Sequence, residues 1–300
     1  MPAPRPDPWT LRPGETAAAR IAALDPERDF EEIARLLYAW EFSWDIERAL
    51  EFALFRTYAV PAISGLLART GEFEARPRKR YDDTELLLCE PMEHGLDGDR
   101  GGRAIARINE MHARYRIADA DMLYVLTTFV CEPIRWLDRF GRRPMSAAER
   151  RAWFLYYRGL GLRMGIRDIP ETLDAMTALN AAHEAGRFRF APTNARIGAA
   201  TRDLILGFYL PRALVPLGRP AVHALLDPPL REAMGFPPAP GWLVRALPAA
   251  LRLRARVLRR LPPRRRPRRL TQVRRPSYPG GYAIEGLGTF RPQRERAGTK

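Results

Sequence analysis

The stretch RINEMHARYRI, residues 107–117, decides how this chain is read. On a helical projection of about 100° per residue, Ile105, Ile108, His112 and Tyr115 share one stripe. Arg103, Arg107, Glu110 and Arg114 fall mostly on the other side. The pattern is an amphipathic helix that carries a histidine on its core face. A buried imidazole needs either a hydrogen-bond partner or a metal, and this stretch leaves both readings open.

Helical signals recur on both sides of it. Ile46, Ala49, Leu50, Ala53, Leu54 and Thr57 follow helical spacing up to Pro61, and a second run from Ile63 stops near Gly71. Residues 82–90 read as a helix opened by Asp82 or Asp83, and the Gly-rich segment HGLDGDRGG reads as a loop. Asp119 or Asp121 can cap a helix that carries Leu123, Leu126, Phe129 and Val130 before Pro133. Ser146 and Glu149 match a capping box closed by Gly165. Further helices are expected from Pro170 to Gly186 and over residues 194–209. Sustained period-2 alternation and hairpin signals are absent from the sequence. The expected fold is all-α: a globin-like, multi-helix single domain with a basic C-terminal extension. Its parts are an N-terminal arm (1–29), a helical body (30–244) and an Arg/Pro-rich tail (245–300).

The charge supports that division. The net charge is +15, yet residues 1–244 hold 33 basic and 33 acidic residues, whereas residues 245–300 hold 17 basic and 2 acidic. The body is balanced, so no basic functional face is implied there. Within 245–275 leucines and a valine alternate with arginines, a pattern suited to an anionic lipid surface or to phosphates. The plain reading of the tail is a disordered solubilising extension; among partners, membrane contact through residues 245–275 ranks first. Nucleic acid is disfavoured, because the body carries no nucleic-acid motif. Cys89 and Cys131 are far apart and in apolar surroundings, so buried free thiols are expected rather than a disulfide or zinc scaffold. The Pro-rich N-terminus lacks the apolar core of a signal peptide, and no window holds the ~20 apolar residues of a membrane span. A cytoplasmic location, peripheral to the membrane at most, is expected.

The chemistry narrows to few residues. Of the four histidines, His94 lies in the Gly-rich segment, His183 near a helix C-terminus, and His223 in a short helix of either core or surface. Only His112 sits on a clearly apolar stripe, and no two histidines share zincin spacing. Haem needs a single protein ligand, leaves the other axial position for dioxygen, and offers propionates that arginines can pair. Tyr115, Tyr124 and the Thr127–Thr128 pair could complete a pocket. Glu72 and Glu74, beside Arg69 and Arg76, are either a charged catalytic group or a solvated surface.

Several long blocks between Glu47 and Tyr209 resemble the MpaB oxygenase family, which is similar to the catalytic domain of rubber oxygenases. They are RALEFALFRTYAVPAISGLLARTGEF, KRYDDTELLL, AIARINEMHARYRIADADMLYVLTTFVCEPIRWLDRFGRRP and ATRDLILGFYLPR. The resemblance implies a haem b oxygenase. Met111-His112-Ala113-Arg114-Tyr115-Arg116 stands at the family motif Met-His-x-x-Val-Arg, which makes His112 the proximal iron ligand. Arg80 and Thr84 stand at an Arg-x-x-x-Thr motif, as catalytic residues that orient oxygen or pair a propionate; Arg80 and Arg116 are the expected cofactor-binding arginines. Three departures follow from the same resemblance. Asp83 stands where rubber-cleaving relatives carry a lysine, Leu126 where the wider family often has a histidine, and the family's upstream carboxylate has no aligned counterpart in Glu72 or Glu74. The expected function is a haem b-dependent oxygenase that uses dioxygen on an apolar, isoprenoid-like small molecule. The alternative is a non-catalytic helical scaffold that acts through its basic tail.

Overall fold

Local signals set most helix ends. A computed structural model describes Asp7 and residues 9–288. In chain order the α-helices are α1 (Ala17–Ala22), α2 (Phe30–Leu36), α3 (Ser43–Tyr58), α4 (Pro61–Thr70), α5 (Glu72–Ala75), α6 (Pro77–His94) and α7 (Asp99–His112). They continue with α8 (Asp119–Phe140), α9 (Ala147–Arg163), α10 (Leu173–Arg187), α11 (Pro192–Leu206), α12 (Val215–Leu225), α13 (Pro228–Ala233) and α14 (Gly241–Arg260). A π-helical turn, Leu37–Glu41, follows α2. No strand occurs among the described residues, so the fold is an all-α domain. Pro61, Pro77 and Pro192 open helices at a position whose N–H has no intrahelical partner. Gly71 takes the left-handed conformation at the end of α4, with φ 71°. The Ser146–Glu149 capping box forms in both directions, which stabilises the start of α9 by about 1 kcal/mol.

Several boundaries differ from expectation. α6 opens at Pro77, five residues before Asp82, because the run Arg78–Asp83 is held by pairs one turn apart: Arg78 Nε to Asp82 (3.0 Å) and Lys79 Nζ to Asp83 (2.7 Å). α7 opens at Asp99 and so absorbs Gly101, expected in a loop. A Cβ at Gly101 would lie 1.8 Å from the Gly95 carbonyl oxygen, so glycine lets α6 and α7 meet at their junction. α8 runs through Pro133 to Phe140, and α10 starts after Thr172, whose side chain accepts from Ala175 N–H.

α3 packs along α8, α2 along α9 and α6 along α7. Trp153, Phe154 and Tyr156 of α9 are buried with Leu126, Val130 and Leu137 of α8 in the main core. A second cluster joins Phe55 and Tyr58 of α3 to Ile197, Met234 and Phe236. Each such side chain contributes roughly 1.5–3 kcal/mol of burial. Cys89 and Cys131 are buried free thiols.

The ends of the chain are less detached than composition suggests. From Trp9 on, the N-terminal arm is tied in: Ala17 and Ile21 are buried, and the Trp9 ring lies under Arg269 at 4.2 Å. The charge boundary at 245 falls inside α14. Beyond α14 an extended strap, residues 262–288, returns over α6 and α7. Leu270, Ile284 and Leu287 are buried, and the strap's polar groups meet α6 carboxylates. Arg269 and Thr271 hold Glu93, Arg275 pairs with Glu85 and Asp82, Ser277 donates to Asp82, Tyr278 to Asp83 and Tyr282 to Glu90. The strap also reaches α7: Arg103 pairs with Glu285, and Arg107 Nε donates to the Leu287 carbonyl (2.9 Å). This explains why Arg107, expected on the solvent side, is buried. Residues 1–6, 8 and 289–300 of the expected arm and tail lie outside the described residues.

Candidate active site

α3 to α9 and α11 surround a cavity of about 540 Å³. His112, Arg80, Thr84 and Arg116 all line it, although they come from two motifs more than twenty residues apart. Leu66, Leu87, Ile108, Val125 and Phe129 supply apolar wall. Amphipathic packing of α6 and α7 explains the convergence. Leu87 and Ile108 belong to the cluster that joins the two helices, and the cavity-facing residues sit at the edge of that seam.

His112 ends α7. Burial, and then the charge of Arg80, push its pKa down to about 4, so the ring is neutral at physiological pH and offers a lone pair. Its Nδ1 is buried with no hydrogen-bond partner among the described residues. An unsatisfied buried nitrogen costs about 1–3 kcal/mol, which a group bound in the cavity can offset. Of the two readings of His112 that the sequence leaves open, the hydrogen-bond partner is missing at Nδ1 among the described residues.

Arg80 is half-buried and has no carboxylate partner among the described residues. Its Nη1 donates to Thr84 Oγ1, Thr84 Oγ1 donates to the Arg80 carbonyl (2.8 Å), and the guanidinium lies 5.3 Å from the Phe73 ring centroid. These contacts fix its direction and leave its charge uncompensated. Arg116 and Arg69 are exposed at the cavity edge, likewise without carboxylate partners among the described residues. Of the group Arg69, Glu72, Glu74 and Arg76 named from the sequence, only Arg69 reaches the cavity.

Other expected residues separate. Tyr115 lines the cavity; Tyr124, Thr127 and Thr128 do not. Tyr124 is buried and stacked on His183 at 4.2 Å, and Thr127 Oγ1 accepts from Asn180. Glu72 and Glu74 are outside the lining: Glu72 accepts from Arg76 (3.0 Å) and Glu74 pairs with Arg196 (3.2 Å). Asp83 turns to the strap instead of the cavity, whereas Leu126 does line the cavity and makes it more apolar there. His94 is in the last turn of α6, 3.5 Å from Glu90, and His223 is buried against Phe236. Sequence reasoning missed Tyr58 and Thr201, which line the cavity from α3 and α11, and Asp121, which lies 3.7 Å from His183 Nε2. Burial raises the Tyr58 hydroxyl to about 12, so it stays protonated. No periodic signal marks these three as inward-facing polar groups.

Residues 52–269 match the family described as "ER-bound oxygenase mpaB/B'/Rubber oxygenase, catalytic domain". The chain belongs to that family. It is 33% identical over 255 residues to "ER-bound oxygenase mpaB'" of Penicillium brevicompactum, covering 78% of this chain and 59% of that protein. It is 32% identical over 213 residues to "ER-bound oxygenase mpaB" of Penicillium roqueforti, covering 65% of this chain and 71% of the relative. The chain thus spans about three-fifths of the length of the mpaB' relative. The resemblance carried by the MHARYR and RYDDT segments is confirmed at the level of the family. The relatives' names place them at the endoplasmic reticulum. Among the described residues no single helix is long and apolar enough to cross a membrane; α3 and α4 pass that test only together, with a 99° bend between them.

Proposed function

We propose that this chain is a haem b-dependent oxygenase acting with dioxygen on an apolar, isoprenoid-like substrate, with His112 as the protein ligand of the iron. The observation that carries the reading is the neutral, cavity-lining His112 with its buried, unpartnered Nδ1 beside an Arg80 that no carboxylate neutralises. The relatives' names supply the reaction class, and "rubber oxygenase" the apolar, isoprenoid character of the substrate.

The residues suit a haem. Among the described residues no group of three His, Cys, Asp or Glu could hold a bare metal ion, and a macrocyclic iron needs only one such ligand. His112 offers it, the apolar wall accepts a porphyrin face, and Arg116, Arg69 or Arg80 can each pair a propionate. When bound, haem supplies the binding and activation of dioxygen. The remaining work falls to the side chains. A guanidinium is a fixed cation, so Arg80 stabilises negative charge that develops inside the cavity without moving a proton. Thr84 holds the guanidinium in one direction. Leu66, Val125, Leu126 and Phe129 bind hydrocarbon and exclude water, which strengthens Arg80's field. Location at the cytoplasmic side of a membrane, as a peripheral protein, fits such a substrate.

Dioxygen uptake tests the reading. Haem-supplied protein is expected to consume oxygen when given an unsaturated isoprenoid and to release an oxygenated product. Arg80→Met should slow this by about 10²–10³-fold, the usual effect of removing one preorganised charge donor. Absence of uptake with any unsaturated isoprenoid, from protein that does bind haem, would favour the non-catalytic scaffold.

A further inference from the structure

α14 carries two apolar stripes, and the body uses one. Leu243, Leu247, Leu251 and Leu258 are part-buried and Ala255 is buried. Leu251 packs by Trp136 and Phe140 at the far end of α8, and Arg254 pairs with Asp45 at 2.9 Å over the Trp44 ring. The opposite face is exposed and ordered by type. Trp242, Leu253 and Val257, exposed by 69%, 58% and 49%, fall on one line with Ala246 and Ala249 between them, at steps of three and four residues. A second line beside it holds Arg245, Arg252, Arg256 and Arg259. Among the described residues none of these four arginines has a carboxylate partner. Leu261, exposed by 53%, follows directly.

We infer that this outward face of α14 docks on an anionic membrane surface, with the apolar line in the acyl boundary and the arginine line at the lipid phosphates. The inference stands independently of the haem reading. Single exposed leucines are ordinary on a soluble surface, but an aligned row flanked by unpaired arginines is the pattern of an interfacial helix. Arginine stems lie along apolar surface while their heads reach charge, so both lines engage a bilayer together. A nucleic acid would engage the arginines and leave Trp242, Leu253 and Val257 in water. A second copy of this face would bring two rows of positive charge together. The structure also narrows the basic region expected from composition. Arg268, Arg269 and Arg275 are committed to Glu47, Glu93 and Glu85 of the body, so docking falls to α14 and the turn after it. α14 meets α8 near Trp136, whereas the cavity is lined by residues 121–129 in the other half of that helix, so docking variants leave the cavity intact.

Vesicle flotation of the full chain tests this, with phosphatidylcholine vesicles made with and without phosphatidylserine. Binding is expected only with phosphatidylserine present. Combined Arg252→Gln, Arg256→Gln and Arg259→Gln should weaken it on the order of a hundredfold at low salt, roughly fivefold per arginine. Combined Trp242→Ser, Leu253→Ser and Val257→Ser should weaken it as well, and both variants should keep the parent's thermal midpoint, since none of the six side chains is buried. Equal binding to both vesicle types, or no binding to either, overturns the proposal. So does binding of duplex DNA as tight as that of phosphatidylserine vesicles and indifferent to the serine substitutions.

Discussion

The two faces of α6 treat charge in opposite ways. Toward the strap, Asp82, Asp83, Glu85, Glu90 and Glu93 are matched by Arg275, Ser277, Tyr278, Tyr282, Arg269 and Thr271. Toward the cavity, Arg80 faces a neutral His112 with an orphaned nitrogen and has no acid to pair with. One helix thus carries a finished electrostatic surface and an unfinished one, a single turn apart. Where the chain supplies every partner, the charges hold structure. Where it supplies none, the site is left open to a group from outside. Arg245, Arg252, Arg256 and Arg259 of α14 are a third case, unfinished and turned to solvent.

Deleting residues 262–300 is the largest perturbation of the finished face. It strips five acidic side chains, four of them buried, of their strap partners, leaving Arg78, Lys79, Tyr81, Arg100 and Tyr38 to hold them, and it uncovers the seats of Leu270, Ile284 and Leu287. The loss should be a large part of the roughly 5–15 kcal/mol of a domain's stability. The expected result is an aggregated chain with no cooperative melting transition. A fully folded truncation would break the comparison, by showing that the strap is ornament. Arg275→Ala sharpens it at one residue: with both Arg275 and Glu85 largely buried, the loss should be about 3–5 kcal/mol in urea unfolding. Arg256→Ala on α14 should stay within about 0.5 kcal/mol, although the two residues look alike in sequence.

The unfinished face predicts a pH signature in the haem-free protein. His112 titrates near 4 when folded and near 6.5 when unfolded, so between those values the unfolded chain binds the extra proton. Stability should therefore rise with pH over that window, by up to about 1.4 kcal/mol per unit from this group. His112→Leu should remove that slope and leave the rest of the profile in place. At the cavity, the smallest stability effect is expected for Arg80→Met. Removing an unpaired charge from an apolar cavity should leave haem-free stability within about 1 kcal/mol of the parent, or raise it, while activity falls.

Much of this was legible in the sequence, and the exceptions share a cause. The inward face of His112 and the one-turn spacing of Arg80 and Thr84 follow from helical period, and both converge on one cavity. Periodicity failed where distant residues decide. The carboxylates of Asp82 and Asp83 read as caps that start α6; in the fold they pair with Arg78 and Lys79 one turn back and with Arg275, Ser277 and Tyr278 of a strap some 200 residues later. Arg107 reads as solvent-facing for the same reason. The basic tail reads as one appendage, although its arginines divide between buried carboxylates and open solvent. Tyr58, Thr201 and Asp121 were invisible as cavity residues because a single polar group at a helix edge leaves no pattern.

The most direct measurement is the absorption spectrum of the purified full-length chain supplied with haem, beside His112→Ala. The account predicts a Soret band in the parent that is shifted or lost in the variant and regained with added imidazole, with circular dichroism unchanged. An identical Soret band in both proteins, or none in either, would contradict it, and His112 would be a core histidine that tolerates an unsatisfied nitrogen.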